Sequence, residues 1–232
     1  MAPTLHVHPT AELAERVLLP GDPGRALLLA QALLEQPKMF NHNRGLWGYT
    51  GAAADGAPLT IQSTGMGGPS AAIVIEELVR LGARRLVRVG TCGALVDGFA
   101  LGDVIVAREA VCADGTSRAL GAGERAPADA ALTAALEVAA ADDGGARSGA
   151  VITTDLFYDE AGEHADPPPH DALAIDMESA TLFRLGTLRG VQAGCVLAVS
   201  DLLGPARGRI DPEAYEAAAA RIGRIAAAAL AV

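Results

Sequence analysis

The sequence predicts a protein of the α/β class, in which helices cover a central sheet. Its apolar pattern switches repeatedly between short strand-like runs and longer helix-like segments. The chain has 232 residues, half of them hydrophobic, which is enough to form one sizeable core. Because no linker-like stretch and no internal repeat divides the chain, we expect residues 1–232 to form a single domain.

Turn residues mark the predicted elements of the N-terminal half. Pro20-Gly21-Asp22-Pro23 closes the first apolar run, and Gly65-Met66-Gly67-Gly68 ends the second strand of a hairpin. Pro69 suits the first turn of a helix, and Gly82 suits its end. The predicted elements are a strand at 17–19, a helix at 26–34, hairpin strands at 48–53 and 58–64, and a helix at 69–81.

The C-terminal half continues the alternation of strands and helices. Buried strands are expected at 85–89, 104–111, 150–153 and 194–200, and helices at 128–141, 178–188 and 212–230. The stretches 113–127 and 159–171 are expected to be surface loops, and the second contains three consecutive prolines.

The composition excludes several classes of function. Lysine and arginine total 18 against 28 aspartates and glutamates, and the net charge of −10 argues against nucleic acid and anionic membranes as partners. Lys38 is the only lysine and follows Pro37, which excludes a phosphate-binding loop built on Gly-Lys-Ser/Thr. We expect neither an export signal nor a membrane span, which needs ~20 apolar residues. Three widely spaced cysteines suit a reducing compartment, so we expect a cytoplasmic protein.

Three loops that follow predicted strands carry groups that suit an anion. In open α/β sheets, ligands gather at the carboxyl ends of strands. Residues 21–25 turn into a helix whose first turn contains Arg25, residues 90–93 follow a strand that contains Arg88, and residues 64–70 supply further backbone donors. Glycines let backbone N–H groups approach an oxyanion, helix N-termini add positive partial charge, and arginine donates in pairs. Together the loops predict a phosphate site, although each alone is also typical of an ordinary turn.

Arg88 is the least ordinary of these residues. It interrupts the apolar run Leu86-Val87-Arg88-Val89, which is predicted to be a buried strand. A buried charge without a partner is costly, so Arg88 is expected to face an anion.

Six motifs occur in order along the chain: LPGDPGR at 19–25, RGLWGYTG at 44–51, GMGGPS at 65–70, RVGTCGA at 88–94, DMESA at 176–180 and VSD at 199–201. Together they resemble the successive signatures of the hexameric nucleoside phosphorylases, the family of bacterial purine nucleoside phosphorylase and uridine phosphorylase. The resemblance spans roughly residues 5–201. It implies a three-layer α/β/α sandwich around a mixed, partly barrel-like sheet, and a hexamer assembled as a trimer of dimers.

The resemblance implies a role for each matching residue. Phosphate, a co-substrate and not a cofactor, is expected to bind Gly21, Arg25, Arg88, Thr91 and, from the neighbouring subunit, Arg44. The ribose is expected to contact Met66, Met177, Glu178 and, across the interface, His6, and the base Phe157, Ser200 and Asp201. Asp201 is the expected general acid, which protonates the departing purine at N7. The resemblance implies no cofactor and no metal.

Each of these residues also has an ordinary structural interpretation. A lone methionine such as Met66 or Met177 most often fills a core, and Asp201 is a residue type that caps helices. Phe157, with the adjacent Tyr158, is equally explained as a structural aromatic. His8 is close to His6 in the sequence and is an alternative candidate for its role. The two histidines could also bind a metal, but an incidental pair is the simpler interpretation.

The base is expected to be a purine. Uridine phosphorylases read the pyrimidine with a glutamine and an arginine shortly after the Phe-Tyr pair, and residues 159–164 contain neither type. Thr91 and Glu178-Ser179-Ala180 are nevertheless common in uridine phosphorylases, so uridine phosphorolysis is the alternative.

Two positions depart from the family's pattern. Asp176 replaces the usual glutamate beside the ribose. In bacterial purine enzymes an arginine of the last helix assists the acid, but Ala214-Tyr215-Glu216 stands in that region here. Arg207 and Arg209, in the loop after Asp201, are the candidates to replace it.

Three other classes of function remain as rivals. A nucleosidase of the same superfamily uses water instead of phosphate and lacks the set of arginines present here. Residues 68–72 are one residue from the Gly-x-Ser-x-Gly motif of an esterase, in which Ser70 would need His164 or His170 as its base. The third rival is a non-catalytic nucleoside-binding protein, which would not need a general acid beside the base.

Overall fold

The computed structural model describes residues 4–158, 171–203 and 207–231, which form a mixed α/β structure. The strands are β1 (Arg16–Leu19), β2 (Glu35–Asn41), β3 (Gly48–Ala52), β4 (Pro58–Gln62), β5 (Arg85–Ala94), β6 (Val104–Cys112), β7 (Arg125–Pro127), β8 (Arg147–Thr153), β9 (Ala174–Asp176), β10 (Gln192–Leu202) and β11 (Gly208–Arg209). The helices are α1 (Pro23–Leu33), α2 (Gly68–Leu81), α3 (Gly115–Ala119), α4 (Ala130–Asp142), α5 (Ser179–Arg189) and α6 (Pro212–Leu230).

The strands form one mixed sheet, part of which closes on itself. The sheet order is β11-β10-β6-β8-β9-β5-β1-β4-β3-β2, with β7 paired to β6. Because β10 also pairs with β5 in parallel, the strands β10, β6, β8, β9 and β5 form a closed ring. The strands β1, β4, β3 and β2 extend from this ring as an open sheet. The expected mixed, partly barrel-like sheet is confirmed.

Helices cover both faces of the sheet. One hydrophobic cluster contains the inner faces of α2 and α5, and the other contains those of α1, α4 and α6. Neighbouring strand residues join opposite clusters: Leu86 packs in the first and Val87 in the second. The three-layer α/β/α arrangement is therefore confirmed.

The predicted loop at 113–127 is wrong in part. It contains α3, whose N-cap Asp114 accepts a hydrogen bond from the Ser117 N–H at 2.7 Å, and β7, which pairs with the edge of β6. The sequence did not predict β2. Its first five residues are exposed and include Pro37, so they lack the alternation of apolar and polar residues that indicates a strand. Most of the predicted loop at 159–171 lies outside the described residues.

Helix α1 begins earlier than expected because Asp22 caps it. The Asp22 carboxylate accepts hydrogen bonds from the N–H groups of Gly24 and Arg25, and Pro23 occupies the first turn. This start places Arg25 in the first turn of the helix. Among the described residues, no helix has both the length and the apolar character that a membrane span requires.

Candidate functional site

A cavity of about 560 Å³ lies at the carboxyl ends of the parallel strands β1, β5 and β10. All predicted site residues except His6 and Arg44 line it: Gly21, Arg25, Met66, Arg88, Thr91, Phe157, Met177, Glu178, Ser200 and Asp201. We call the lining group formed by Arg25 and Arg88 the arginine end, and the group formed by Asp201 and Phe157 the base end. Arg209 also lines the cavity. The loops that the sequence singles out therefore converge on one site.

At the arginine end, Arg25 is buried and only partly paired. It is 6% exposed. One Nη donates to the Val89 carbonyl at 3.1 Å, and the other donates to the hydroxyl of Tyr215. Its Nε is buried and has no hydrogen-bond partner among the described residues. A buried guanidinium donor without a partner is costly, and Arg25 lines the cavity, so its guanidinium is the candidate to bind an anion there.

Arg88, which is also buried, is paired with two carboxylates of the same chain. Its Nε lies 2.8 Å from an Asp176 carboxylate oxygen, and an Nη lies 2.6 Å from a Glu178 oxygen. Burial alone lowers the pKa of Arg88, but the charges of Glu178 and Asp176 raise it above its usual value. The anion that the sequence requires for Arg88 is thus present within the protein, so burial of Arg88 is not by itself a sign of a ligand.

Gly90 lies beside Arg88 in β5, at a position where a side chain would contact the guanidinium. A Cβ at Gly90 would lie 2.6 Å from the guanidinium carbon of Arg88, which leaves no room for any other residue. At the neighbouring loop, a Cβ at Gly21 would lie 3.1 Å from the Gly65 carbonyl oxygen, and the Gly65 N–H donates to the Gly21 carbonyl at 3.0 Å. The loops that contain Gly21 and Gly65 therefore lie in direct backbone contact at the cavity wall.

Asp176 has a structural task that the sequence analysis did not find. Its buried carboxylate accepts from the hydroxyl of Thr153 at 2.7 Å, from the Ser179 N–H at 3.0 Å and from the Ser179 hydroxyl at 2.6 Å, besides Arg88. The carboxylate therefore fixes both Arg88 and the start of α5. The Asp-x-x-Ser spacing ahead of a helix was the local signal for the second of these contacts.

The ribose candidates Glu178, Met66 and Met177 also line the cavity. Glu178 is buried and accepts a hydrogen bond from the Gly67 N–H at 2.6 Å. Burial raises the pKa of Glu178, while the charge of Arg88 acts in the opposite direction. Met66 is 86% exposed and Met177 is half-buried, so neither methionine fills the core. Both are free to pack against a ligand.

A bulge in β10 presents Ser200 and Asp201 together at the base end. The pairing with β5 shifts register between Val199 and Asp201, so two successive side chains line the cavity instead of alternating between faces. The Ser200 hydroxyl donates to Asp201 at 2.8 Å, and the Asp201 side chain is 23% exposed. Asp201 is a strand residue, and Asp211 is the N-cap of α6, so the capping interpretation of Asp201 is wrong.

Arg209 is the arginine that contacts the candidate acid. It lies opposite Asp201 in the antiparallel pair β10–β11, and its Nε is 3.6 Å from an Asp201 oxygen.

Phe157 is 54% exposed, lines the cavity and packs edge-to-face on Tyr158 with ring centres 5.1 Å apart. The exposure of both rings shows that they do not fill the core.

His6 and Arg44 lie together outside the cavity lining. The Glu77 carboxylate accepts from the N–H groups of His6 and Val7 and from the ring Nδ1 of His6, at 3.0, 2.7 and 2.8 Å. Burial opposes ionisation of Glu77, but these hydrogen bonds lower its pKa to about 2. The Asn43 amide donates to the His6 carbonyl at 2.9 Å, which joins this segment to the turn that carries the exposed Arg44. We call this surface the His6–Arg44 edge.

Ser70, the candidate esterase nucleophile, has a structural contact. Its hydroxyl donates to the Thr64 carbonyl at 2.5 Å, and Ser70 does not line the cavity. Its candidate partners His164 and His170 lie outside the described residues, as does the stretch 159–164 that bears on the base. His8 is exposed, and its ring bonds to the Leu5 carbonyl at 3.2 Å.

Comparison with known proteins agrees with this geometry. The chain matches the model of the Phosphorylase superfamily over residues 15–231. A DeoD-type purine nucleoside phosphorylase of Oceanobacillus iheyensis is 40% identical over 82% of this chain and 83% of that protein. A guanosine phosphorylase of Halorubrum lacusprofundi is 38% identical over 81% of this chain and 78% of its own length. A uridine phosphorylase of Treponema pallidum is 38% identical over 82% and 78%. This chain therefore belongs to the phosphorylase superfamily.

Proposed function

We propose that this protein is a purine nucleoside phosphorylase, which converts a purine ribonucleoside or deoxyribonucleoside and phosphate reversibly into the free base and the sugar 1-phosphate. The observation that carries the proposal is that one cavity is lined both by Arg25, a buried arginine with an unpaired donor, and by the carboxylic acid residue Asp201. Relatives named as purine nucleoside and guanosine phosphorylases support the choice of purine.

In the proposed reaction, phosphate binds between Arg25, Arg88, Gly21 and Thr91. Arg25 supplies its guanidinium, and the glycine loops supply backbone donors. A phosphate oxygen bonds to C1′ of the sugar while the bond between C1′ and N9 of the purine breaks and its electrons pass to the base. Phosphate is consumed as a co-substrate, and the reaction requires no cofactor.

The base end then stabilises the leaving group. Asp201 donates its proton to N7 of the purine as the electrons reach the ring. Arg209 stabilises the carboxylate that remains, from its position opposite Asp201 on β11. Glu178 accepts hydrogen bonds from the sugar hydroxyls and, with Arg88, places its charge beside the positive sugar of the transition state. Met66, Met177 and Phe157 enclose the sugar and the base.

A substrate panel tests this assignment against its main alternative. Uridine phosphorolysis is supported by the Treponema pallidum relative. Inosine, guanosine, adenosine, uridine and methylthioadenosine are each incubated with phosphate, and release of free base is measured. We expect inosine or guanosine to have a larger kcat/KM than uridine. A preference for uridine would overturn the purine assignment and leave the phosphorylase assignment intact.

We further propose a cytoplasmic hexamer, a trimer of dimers in which each active site is shared between two subunits. The His6–Arg44 edge supports this arrangement because Glu77 holds His6, the adjoining turn carries the exposed Arg44, and neither residue lines the cavity of its own chain. In a dimer, His6 would reach the sugar and Arg44 the phosphate of the neighbouring site. The free, buried cysteines Cys92, Cys112 and Cys195 suit a reducing compartment.

Mixed oligomers test the shared site. The variants Arg44→Ala and Glu178→Gln are each expected to be inactive alone. After joint unfolding and refolding at equal amounts, a cavity with intact Glu178 meets intact Arg44 of a neighbour, and about a quarter of the wild-type activity should return. Each variant refolded alone is the control. No recovery in mixtures that contain both variants would contradict sharing.

A further inference from the structure

Tyr215 contacts the phosphate candidate Arg25 without lining the cavity. Its hydroxyl accepts a hydrogen bond from one Nη of Arg25, and its ring centre lies 5.3 Å from the guanidinium carbon. Tyr215 is half-buried and is not part of the cavity wall. Tyr215 lies outside the six sequence motifs, in the region of the last helix where bacterial purine enzymes have an arginine.

The start of α6 holds Tyr215 in place. Asp211 caps the helix by accepting from the Ala214 N–H at 2.9 Å, and the Tyr215 N–H donates to the Asp211 carbonyl at 2.9 Å. Farther along, α6 lies close against α1, because a Cβ at Gly223 would be only 2.3 Å from a methyl carbon of Leu29. Helix packing therefore sets the distance between Tyr215 on α6 and Arg25 on α1.

Two hydrogen bonds determine the orientation of the Arg25 guanidinium. The guanidinium is planar, and its Nη atoms bond to the Val89 carbonyl and to the Tyr215 hydroxyl. With both Nη groups engaged, the plane of the guanidinium is fixed, and the unpaired Nε keeps one orientation. A donor that is fixed before the ligand arrives loses less conformational entropy on binding.

We propose that Tyr215 is a positioning residue of the phosphate site, which orients Arg25 through its hydroxyl. The proposal rests on the proposed function, because it requires that Arg25 bind phosphate. Tyr215 itself touches no substrate. Its role is to hold the guanidinium in one orientation at the cavity wall.

Titration of the assembled enzyme with inorganic phosphate alone, followed by calorimetry, tests the proposal. The variant Tyr215→Phe keeps the ring and removes the hydroxyl, and we expect it to raise the Kd for phosphate about tenfold, the effect of one hydrogen bond to a charged group. The KM for the nucleoside should stay unchanged. Tyr49→Phe, a change at a buried tyrosine that does not line the cavity, is the matched control and should leave the Kd unchanged.

A double-mutant cycle shows whether Tyr215 acts through Arg25. Lysine has no planar fork, so in an Arg25→Lys background the change Tyr215→Phe should have no further effect on the Kd for phosphate. The same loss in both backgrounds, or no loss in the wild-type background, would overturn the positioning role. If Arg25→Lys itself leaves phosphate binding unchanged, or the wild type binds no phosphate, the phosphate site of the proposed function fails as well.

Discussion

The arginine end and the base end of the cavity differ in the exposure of their key groups. Arg25 and Arg88 are 6% and 5% exposed, whereas the Asp201 side chain is 23% exposed and Phe157 is 54% exposed. Charges act more strongly where water is excluded, so the buried end suits fixed recognition of a small anion. The more open end suits a larger group that must enter and leave. One cavity thus presents buried arginines, which suit a small anion, and a more exposed carboxylate and aromatic ring, which suit a larger group.

Within the arginine end, the two arginines also differ in their partners. Arg88 is paired with the carboxylates of Asp176 and Glu178, while the hydrogen-bond partners of Arg25 are a carbonyl and a hydroxyl. Arg88 compensates the charges of Asp176 and Glu178, whereas the charge of Arg25 acts more weakly, on Glu178. We therefore expect Arg88 to support the fold and the sugar site, and Arg25 to provide the open donor for phosphate.

The largest effect is expected at the base end. Asp201→Asn removes the proton donor but keeps the shape of the side chain, and we expect kcat for guanosine to fall about 100- to 10,000-fold. The Kd for phosphate alone should not change, because Asp201 is not among the residues proposed to bind phosphate. Steady-state kinetics and phosphate titration measure the two quantities. Guanosine turnover at the wild-type rate would remove Asp201 from the role of general acid.

A smaller effect, on stability, distinguishes the two arginines. Arg88→Met leaves two buried carboxylates without their partner and should lower the free energy of unfolding by about 3–5 kcal/mol. Arg25→Met removes hydrogen bonds to neutral groups and should cost about 1 kcal/mol. Urea unfolding in phosphate-free buffer at one protein concentration compares the variants. Equal losses would show that the different pairing of the two arginines has no energetic consequence.

The smallest effect concerns Arg209 and the acid. The Arg209 side chain is 74% exposed and 3.6 Å from Asp201, so its interaction with the carboxylate is partly screened by water. Arg209→Gln should lower kcat for guanosine about fivefold, and the loss should shrink at high salt. Arg207→Gln, two positions earlier, is the matched control. Equal effects of the two changes would show that the contact with Asp201 is not what matters.

Local sequence signals predicted most of the elements that build the cavity. Gly21 and Pro23 mark the turn into α1, Pro69 and Gly82 mark the limits of α2, and the apolar run before Asp201 marks β10. Each signal depends only on residues that are neighbours in the chain, so the element can be predicted without knowledge of the fold. The family resemblance then placed residues from distant loops in one site.

The contacts between distant segments were not predictable in the same way. Arg88 and Asp176 are 88 residues apart, and Arg25 and Tyr215 are 190 residues apart. The sequence showed that Arg88 needs an anion, but not that the chain supplies two carboxylates. Likewise, only the packing of α6 on α1 reveals that Tyr215 holds Arg25. Partners of this kind depend on the closed ring of strands and on helix packing, which no local pattern records.

The central claim is that phosphate, bound at the arginine end, is the group that cleaves the nucleoside. The most direct measurement is the initial rate of guanosine cleavage at increasing phosphate concentration, with both products identified. We predict a rate that rises from near zero to saturation, with one ribose 1-phosphate formed for each guanine released. Cleavage at the same rate in phosphate-free buffer, with free ribose as the product, would contradict the account.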